Sequence, residues 1–126
     1  MADLKAYTPE SDTITVELGL ENDDGSPMTI EVYAPYSKEY KSFVHQQANS
    51  RIKKMQGNRK DYLTAEELEK AQLDLYVSIT KDWNITWKGE NPKFDKQLAR
   101  NIYEEIFWVK DKIQEALDDS VDFIKP

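Results

Sequence analysis

The apolar residues of this chain follow two different periods, and the switch between them at Pro35 restricts the fold more than any other feature. In TITVELGL, Ile14, Val16, Leu18 and Leu20 alternate with polar or small residues, and in MTIEVYA Met28, Ile30 and Val32 do the same. Alternation of period two, rich in β-branched residues, marks strands with one buried face. The ENDDGSP between them is dense in turn formers, with Gly25 free to take positive φ and Pro27 unable to donate to a ladder. Residues 13–34 therefore read as a β-hairpin. A lone hairpin is marginal in water, so its apolar face has to pack on the chain's own helices or on another chain.

After Pro35 the spacing becomes helical. Tyr36, Tyr40, Phe43, Val44, Ile52 and Met55 predict a helix from Lys38 to Met55, with Ser37 as N-cap and Gln56-Gly57-Asn58 as its stop. Thr64-Ala65-Glu66-Glu67 is a capping box and opens a helix to about Lys81, with Leu68, Ala71, Leu75, Tyr76 and Ile79 as its main stripe. KDWNITWKGENPKF has no period and reads as a structured loop. Phe94, Leu98, Ile102, Ile106, Val109, Ile113 and Leu117 then follow in steps of three and four, as a helix either continuous or broken near Phe107.

The expected fold is thus α+β, mainly α: an N-terminal β-hairpin followed by a bundle of three to four helices. The 126 residues fit one domain, 13–126, with the hairpin at 13–34 and the helical part at 37–126. Residues 1–12 mix Asp, Lys, Thr, Pro and Ser without a period and read as a flexible arm.

Charge and composition remove several function classes. A net charge of −7 repels phosphate backbones and anionic membrane surfaces, which argues against nucleic-acid and membrane partners. The absence of cysteine excludes disulfides, thiolate metal sites and cysteine nucleophiles. Met1–Lys5 lacks the apolar run of a signal peptide and no stretch has transmembrane length, so the expected compartment is the cytoplasm.

The chemistry of sites is equally sparse. His45 is the only histidine and reads as an ordinary helix residue. No phosphate loop, dinucleotide glycine pattern or nucleophile elbow occurs. Glu21-Asn22-Asp23-Asp24 reads as a hairpin turn, and Asp118-Asp119 with Asp122 as an exposed segment after a helix end; neither has the order of a calcium-binding EF-hand loop. Glu104 and Glu105 are adjacent on a helix and point about 100° apart, unsuited to flanking one bond. No enzyme activity, cofactor or metal is expected.

Aromatic residues are what stand out. Trp83, Trp87, Phe94, Tyr103, Phe107 and Trp108 are grouped in one stretch, and aromatics are frequent anchors of protein interfaces. Tyr103 and Phe107, four apart, predict a second apolar strip beside the Leu98-Ile102-Ile106 stripe. Such width requires a second contact surface, within the chain or from a partner.

The order of the C-terminal half carries a family resemblance. Asp82-Trp83 precedes a polar segment, a helix from Asp95 to Glu105, the run Phe107-Trp108-Val109-Lys110-Asp111-Lys112-Ile113, and the closing Val121-Asp122-Phe123-Ile124. Across residues 79–125 this resembles the tail assembly chaperones of long-tailed bacteriophages, which often carry a Trp-(Ile/Val)-(Arg/Lys)-Asp-x-(Ile/Val) helix and a terminal aromatic. The resemblance implies a helical, self-associating protein of the host cytoplasm. It would bind and solubilise the tape measure protein, a long apolar helical chain, and help recruit tail tube subunits. It also implies the short form of a protein that can have a longer frameshifted version.

The matching positions are Trp83, Trp108, Val109, Lys110, Asp111, Ile113 and Phe123, with Trp108 and Phe123 as packing anchors. The protein-binding candidates are Trp83, Trp87, Tyr103, Phe107, Trp108, Val109, Ile113 and Phe123. Asn91-Pro92-Lys93-Phe94 departs from the pattern by placing proline before the helix, which leaves open whether the last two helices are fused. Two other functions compete: a structural connector or tail protein of the virion, and an acidic DNA mimic that inhibits a nucleic-acid enzyme. Interspersed lysines disfavour mimicry, and the connector reading lacks long assembly loops and a larger sheet.

Overall fold

The computed structural model describes residues 11–58 and 64–122. Most of the expected arm, residues 59–63, and Phe123 and Ile124 lie outside the described residues. The fold is α+β and mainly α, as expected. Its elements in chain order are β1 (Thr13–Glu21), β2 (Pro27–Tyr33), α1 (Lys38–Asn58), α2 (Ala65–Ile79), β3 (Thr80–Asn84), α3 (Lys96–Glu105) and α4 (Phe107–Asp122).

β1 and β2 form the expected antiparallel hairpin, with Val16 opposite Ile30 and Ile14 opposite Val32. The sheet has a third strand, however. β3 pairs antiparallel with the free side of β2, placing Trp83 opposite Ile30. The segment read as loop thus begins as a strand, and β2 becomes central. Its five residues are too few, and a register shift beside Glu31 and Val32 too disruptive, for alternation to reveal it.

A second correction concerns Leu20. The β1–β2 register shifts between Glu17 and Glu21, around Gly19 at φ +78°. Extra residues in one strand break the in–out alternation, so Leu18 is buried while Leu20 is 50% exposed.

The sheet buries its Val16, Ile30, Val32 and Trp83 in one core with Leu73, Tyr76, Val77 and Ile79 of α2, Ala99, Ile102 and Tyr103 of α3, and Val109, Ile113 and Leu117 of α4. α4 packs along β1, so the hairpin's apolar face is covered by the chain's own helices.

Caps explain most helix boundaries. Ser37 Oγ donates to Ala34 O (2.6 Å) and accepts from Tyr40 N (3.1 Å). Thr64 Oγ1 accepts from Glu67 N at 3.2 Å, the expected cap of α2, and Asp95 Oδ2 accepts from Leu98 N at 2.9 Å to cap α3. α2 ends at Ile79 rather than Lys81, because the Thr80 hydroxyl closes the last turn onto Tyr76 O at 2.7 Å. α1 continues through Gly57 to Asn58; a helix-interior glycine costs about 1 kcal/mol but does not forbid the conformation.

The last two helices are separate. Ile106 leaves helical geometry at φ −114°, ψ 85°, its N–H still bonded to Ile102 O. Asp118 and Asp119, read as a segment beyond a helix end, lie inside α4. The break also divides the expected Tyr103–Phe107 strip: Tyr103 is wholly buried, whereas Phe107 is 69% exposed. Residues four apart share a face only where the helix is continuous.

Candidate interaction surface

The aromatic stretch divides into core and surface. Trp83 is buried, meets the Phe94 ring edge-to-face (centroids 5.0 Å apart, planes at 86°), and donates its indole N–H to Pro92 O at 3.0 Å. Its area and its polar handle are both used inside the chain. Tyr103, Val109 and Ile113 are also core. Trp87 and Trp108 are half-buried against that core. Among the candidates in the described residues, only Phe107 stands largely in solvent. Phe123 lies outside them.

The loop carrying Trp87 is held by backbone and amide bonds. Trp87 and Glu90 exchange N–H···O bonds of 2.8 and 3.1 Å around Lys88 (φ +53°) and Gly89 (φ +79°). Two successive positive φ values are the signature of a type I′ turn. Buried Asn22 is the other fastener, which sequence reasoning treated only as part of a turn. Its Oδ1 accepts from Thr86 Oγ1 at 2.8 Å, and its Nδ2 lies 3.3 Å from Asn84 O and from Ser26 O. It thus ties the β1–β2 turn to β3 and the loop beyond.

A polar chain under the helices fixes α2 relative to α3 and α4. Thr80 Oγ1 gives its only proton to Tyr76 O, so at 2.8 Å it accepts from the Tyr103 hydroxyl. Burial pushes the Tyr103 phenol up to about 12. Tyr76 donates to Gln114 Oε1 at 2.6 Å and accepts from Gln72 Nε2 at 3.1 Å. Arg100 of α3 pairs with Asp74 of α2.

The open surface lies on the first two helices. Among the described side chains of α1, Tyr40 and Phe43 alone join the periphery of the core, and Met55 of the expected stripe lies outside them. The single α1 stripe expected from sequence therefore splits, and Val44 and Ile52 face solvent. Val44, Ala48 and Ile52 follow one another by four residues, a stripe along one side of the helix. Leu68, expected within the α2 stripe, is also exposed, because the first turns of α2 extend past the core and burial begins at Leu73.

Between α1 and α2 runs a groove of ≈ 500 Å³, with Phe43, Ala71 and Leu75 as its apolar lining and Gln46, Lys70 and Asp74 among its polar residues. Small residues at Ser50, Ala71 and Ser78 keep the helices from filling it, and Gln47 bridges it by donating to Ala71 O at 2.9 Å. Lys96 Nζ sits 6.0 Å from the Phe43 ring centre.

This surface offers apolar contact bordered by charge. Among the described residues no group of three or more His, Asp or Glu is placed to hold a metal ion, and no helix is long and apolar enough to cross a membrane. His45 stands exposed on α1. No family model, no curated protein and no solved structure matches the chain.

Proposed function

We propose that this chain is a tail assembly chaperone of a long-tailed bacteriophage. It binds the apolar helical tape measure protein in the host cytoplasm, keeps it soluble, and helps recruit tail tube subunits, with no chemistry of its own. The resemblance across residues 79–125 supports the family. The observation that carries the activity is the outward Val44-Ala48-Ile52 stripe on a 21-residue helix, with exposed Leu68 on the next helix. Such a helix, about 31 Å long, presents i, i+4, i+8 anchors against which an amphipathic client helix can lie.

Binding of a labelled tape measure segment, followed by fluorescence anisotropy, tests the reading. The double variant Val44→Asp/Ile52→Asp changes two exposed positions, where effects on stability are usually within about 0.5 kcal/mol. It should bind at least tenfold more weakly while keeping its unfolding midpoint. Equal affinity for variant and parent, or no binding by the parent, would remove the proposal's basis.

A further inference from the structure

We infer that the outward face of the three-stranded sheet binds a lysine- and arginine-rich segment of another protein. Residues paired across antiparallel strands point to the same side of the sheet. The registers that turn Val16, Ile30 and Trp83 into the core therefore turn Glu17, Thr29 and Asn84 outward in one row. They turn Thr15, Glu31 and Asp82 outward in the next. Thr15, Glu17 and Asp82 are exposed, and the helices pack on the opposite side, against Val16, Ile30, Val32 and Trp83.

Charge singles out this face. Residues 1–37 hold eight of the chain's 24 acidic residues and one basic residue, Lys5, whereas residues 38–126 hold sixteen of each sign. The whole net charge of −7 thus belongs to residues 1–37. Over residues 12–33 and 80–84, which make the sheet and its β1–β2 turn, there are seven carboxylates and one cation, Lys81. Lys81 Nζ lies 4.0 Å from Glu31 Oε1 with both side chains open to water, so the pair neutralises little. Glu31 also stands directly opposite Asp82, and like charges so placed cost stability. An arriving cation relieves that repulsion.

Both carboxylates are already held. Thr13 Oγ1 donates to Glu31 Oε1 at 2.9 Å, and Asp82 Oδ1 accepts from Trp83 N at 2.8 Å. Groups fixed in this way have less ordering entropy to lose on binding. Among the described residues no group of three or more His, Asp or Glu is placed to hold a metal ion. Glu17, Glu31 and Asp82 are instead spread over three strands about 5 Å apart, with the Thr13, Thr15 and Thr29 hydroxyls beside them. An extended basic segment lying across the strands can offer one charged donor to each carboxylate. Such contacts are weak one by one, are screened by salt, and act chiefly on the association rate. The inference does not rest on the chaperone reading, because the α1 stripe lies on a different element and takes an apolar partner.

Fluorescence anisotropy of a labelled peptide of alternating lysine and serine, titrated with the full chain at low salt, tests it. The parent should bind the peptide, and more weakly as salt is added. Glu17→Gln/Glu31→Gln should weaken binding about three- to tenfold with an unchanged unfolding midpoint, since Glu31→Gln keeps an acceptor for Thr13 Oγ1. Glu115→Gln/Asp119→Asn removes the same charge from exposed positions of α4. That control should leave the affinity within about twofold of the parent. Equal losses in the two variants would reduce the effect to net charge and overturn the inference. No binding by the parent, or displacement of the peptide by spermine as effectively as by unlabelled peptide, would overturn it too.

Discussion

Replacing Tyr103 by phenylalanine should destabilise the protein near neutral pH and stabilise it in strong alkali. At neutral pH the substitution removes one buried hydrogen bond, the one that the phenol donates to Thr80 Oγ1. Thr80 keeps its own bond to Tyr76 O, so the loss is about 1 kcal/mol. Alkali works in the opposite direction. An unfolded tyrosine ionises near 10.0, whereas burial holds the folded Tyr103 at about 12. Between these values the unfolded state binds fewer protons, so stability falls as pH rises. This contribution is intact below the unfolded value, has lost about 1.4 kcal/mol by about pH 11, and levels off at a loss of about 2–3 kcal/mol above the folded value.

Phenylalanine escapes that loss, so the two stability curves should cross close to pH 11. Burial also raises Tyr40 and Tyr76, but both proteins share them, and the difference isolates Tyr103. Urea unfolding followed by tryptophan fluorescence across an alkaline pH series measures it. A difference that stays constant from neutral pH to alkali would refute the reasoning, because Tyr103 would then ionise equally easily in both states.

Three further substitutions probe other parts of the account. Lys88→Asn places Asn before Gly89 in the turn with two positive φ values, and thermal unfolding should show a gain of up to about 1 kcal/mol. Asn22→Ala removes the bonds to Thr86 Oγ1 and Asn84 O; chemical denaturation should show a loss of about 2–3 kcal/mol, with faster amide exchange in β3. Trp83→Phe keeps a ring against Phe94 but leaves Pro92 O without its indole donor. It should cost about 1–3 kcal/mol in the same assay, and an unchanged midpoint would mean that water replaces the indole.

The parts of the fold legible in the sequence are those built by local rules. Ile14, Val16, Ile30 and Val32 alternate as a half-buried hairpin must, and Ser37 and Thr64 cap the helices their chemistry favours. What escaped depends on tertiary geometry. The shift around Gly19 turns Leu20 outward although its spacing matches that of Leu18. β3 is recognisable only once β2 offers it an edge. Spacing allowed a helix continuous or broken near Phe107 but, with no proline or glycine at Ile106, could not choose; the break there separates Tyr103 in the core from Phe107 in solvent.

The candidate surface was less legible than the fold. Aromatic residues serve equally as core fillers and as anchors, so Trp83 and Tyr103 could not be told apart from Phe107 by type, whereas Val109 and Ile113 already lay on the stripe that the structure buries. The α1 face gave one usable signal, the polar run His45-Gln46-Gln47 and Asn49-Ser50-Arg51 around Ala48. A helix so polar has little to bury, and its few apolar residues are correspondingly free to face outward. The groove itself runs between α1 and α2 and is lined in part by the small side chains of Ser50, Ala71 and Ser78, an arrangement set by how the two helices dock.

The most direct test of the account is the soluble fraction of the tape measure protein when it is co-expressed with this chain, measured by quantitative blotting of supernatant and pellet. The account predicts that the client, found in the pellet when expressed alone, moves to the supernatant and elutes in a complex with the chain. It further predicts that Val44→Asp/Ile52→Asp returns it to the pellet. A client that stays insoluble beside abundant folded chain, or one solubilised equally by parent and variant, would contradict it.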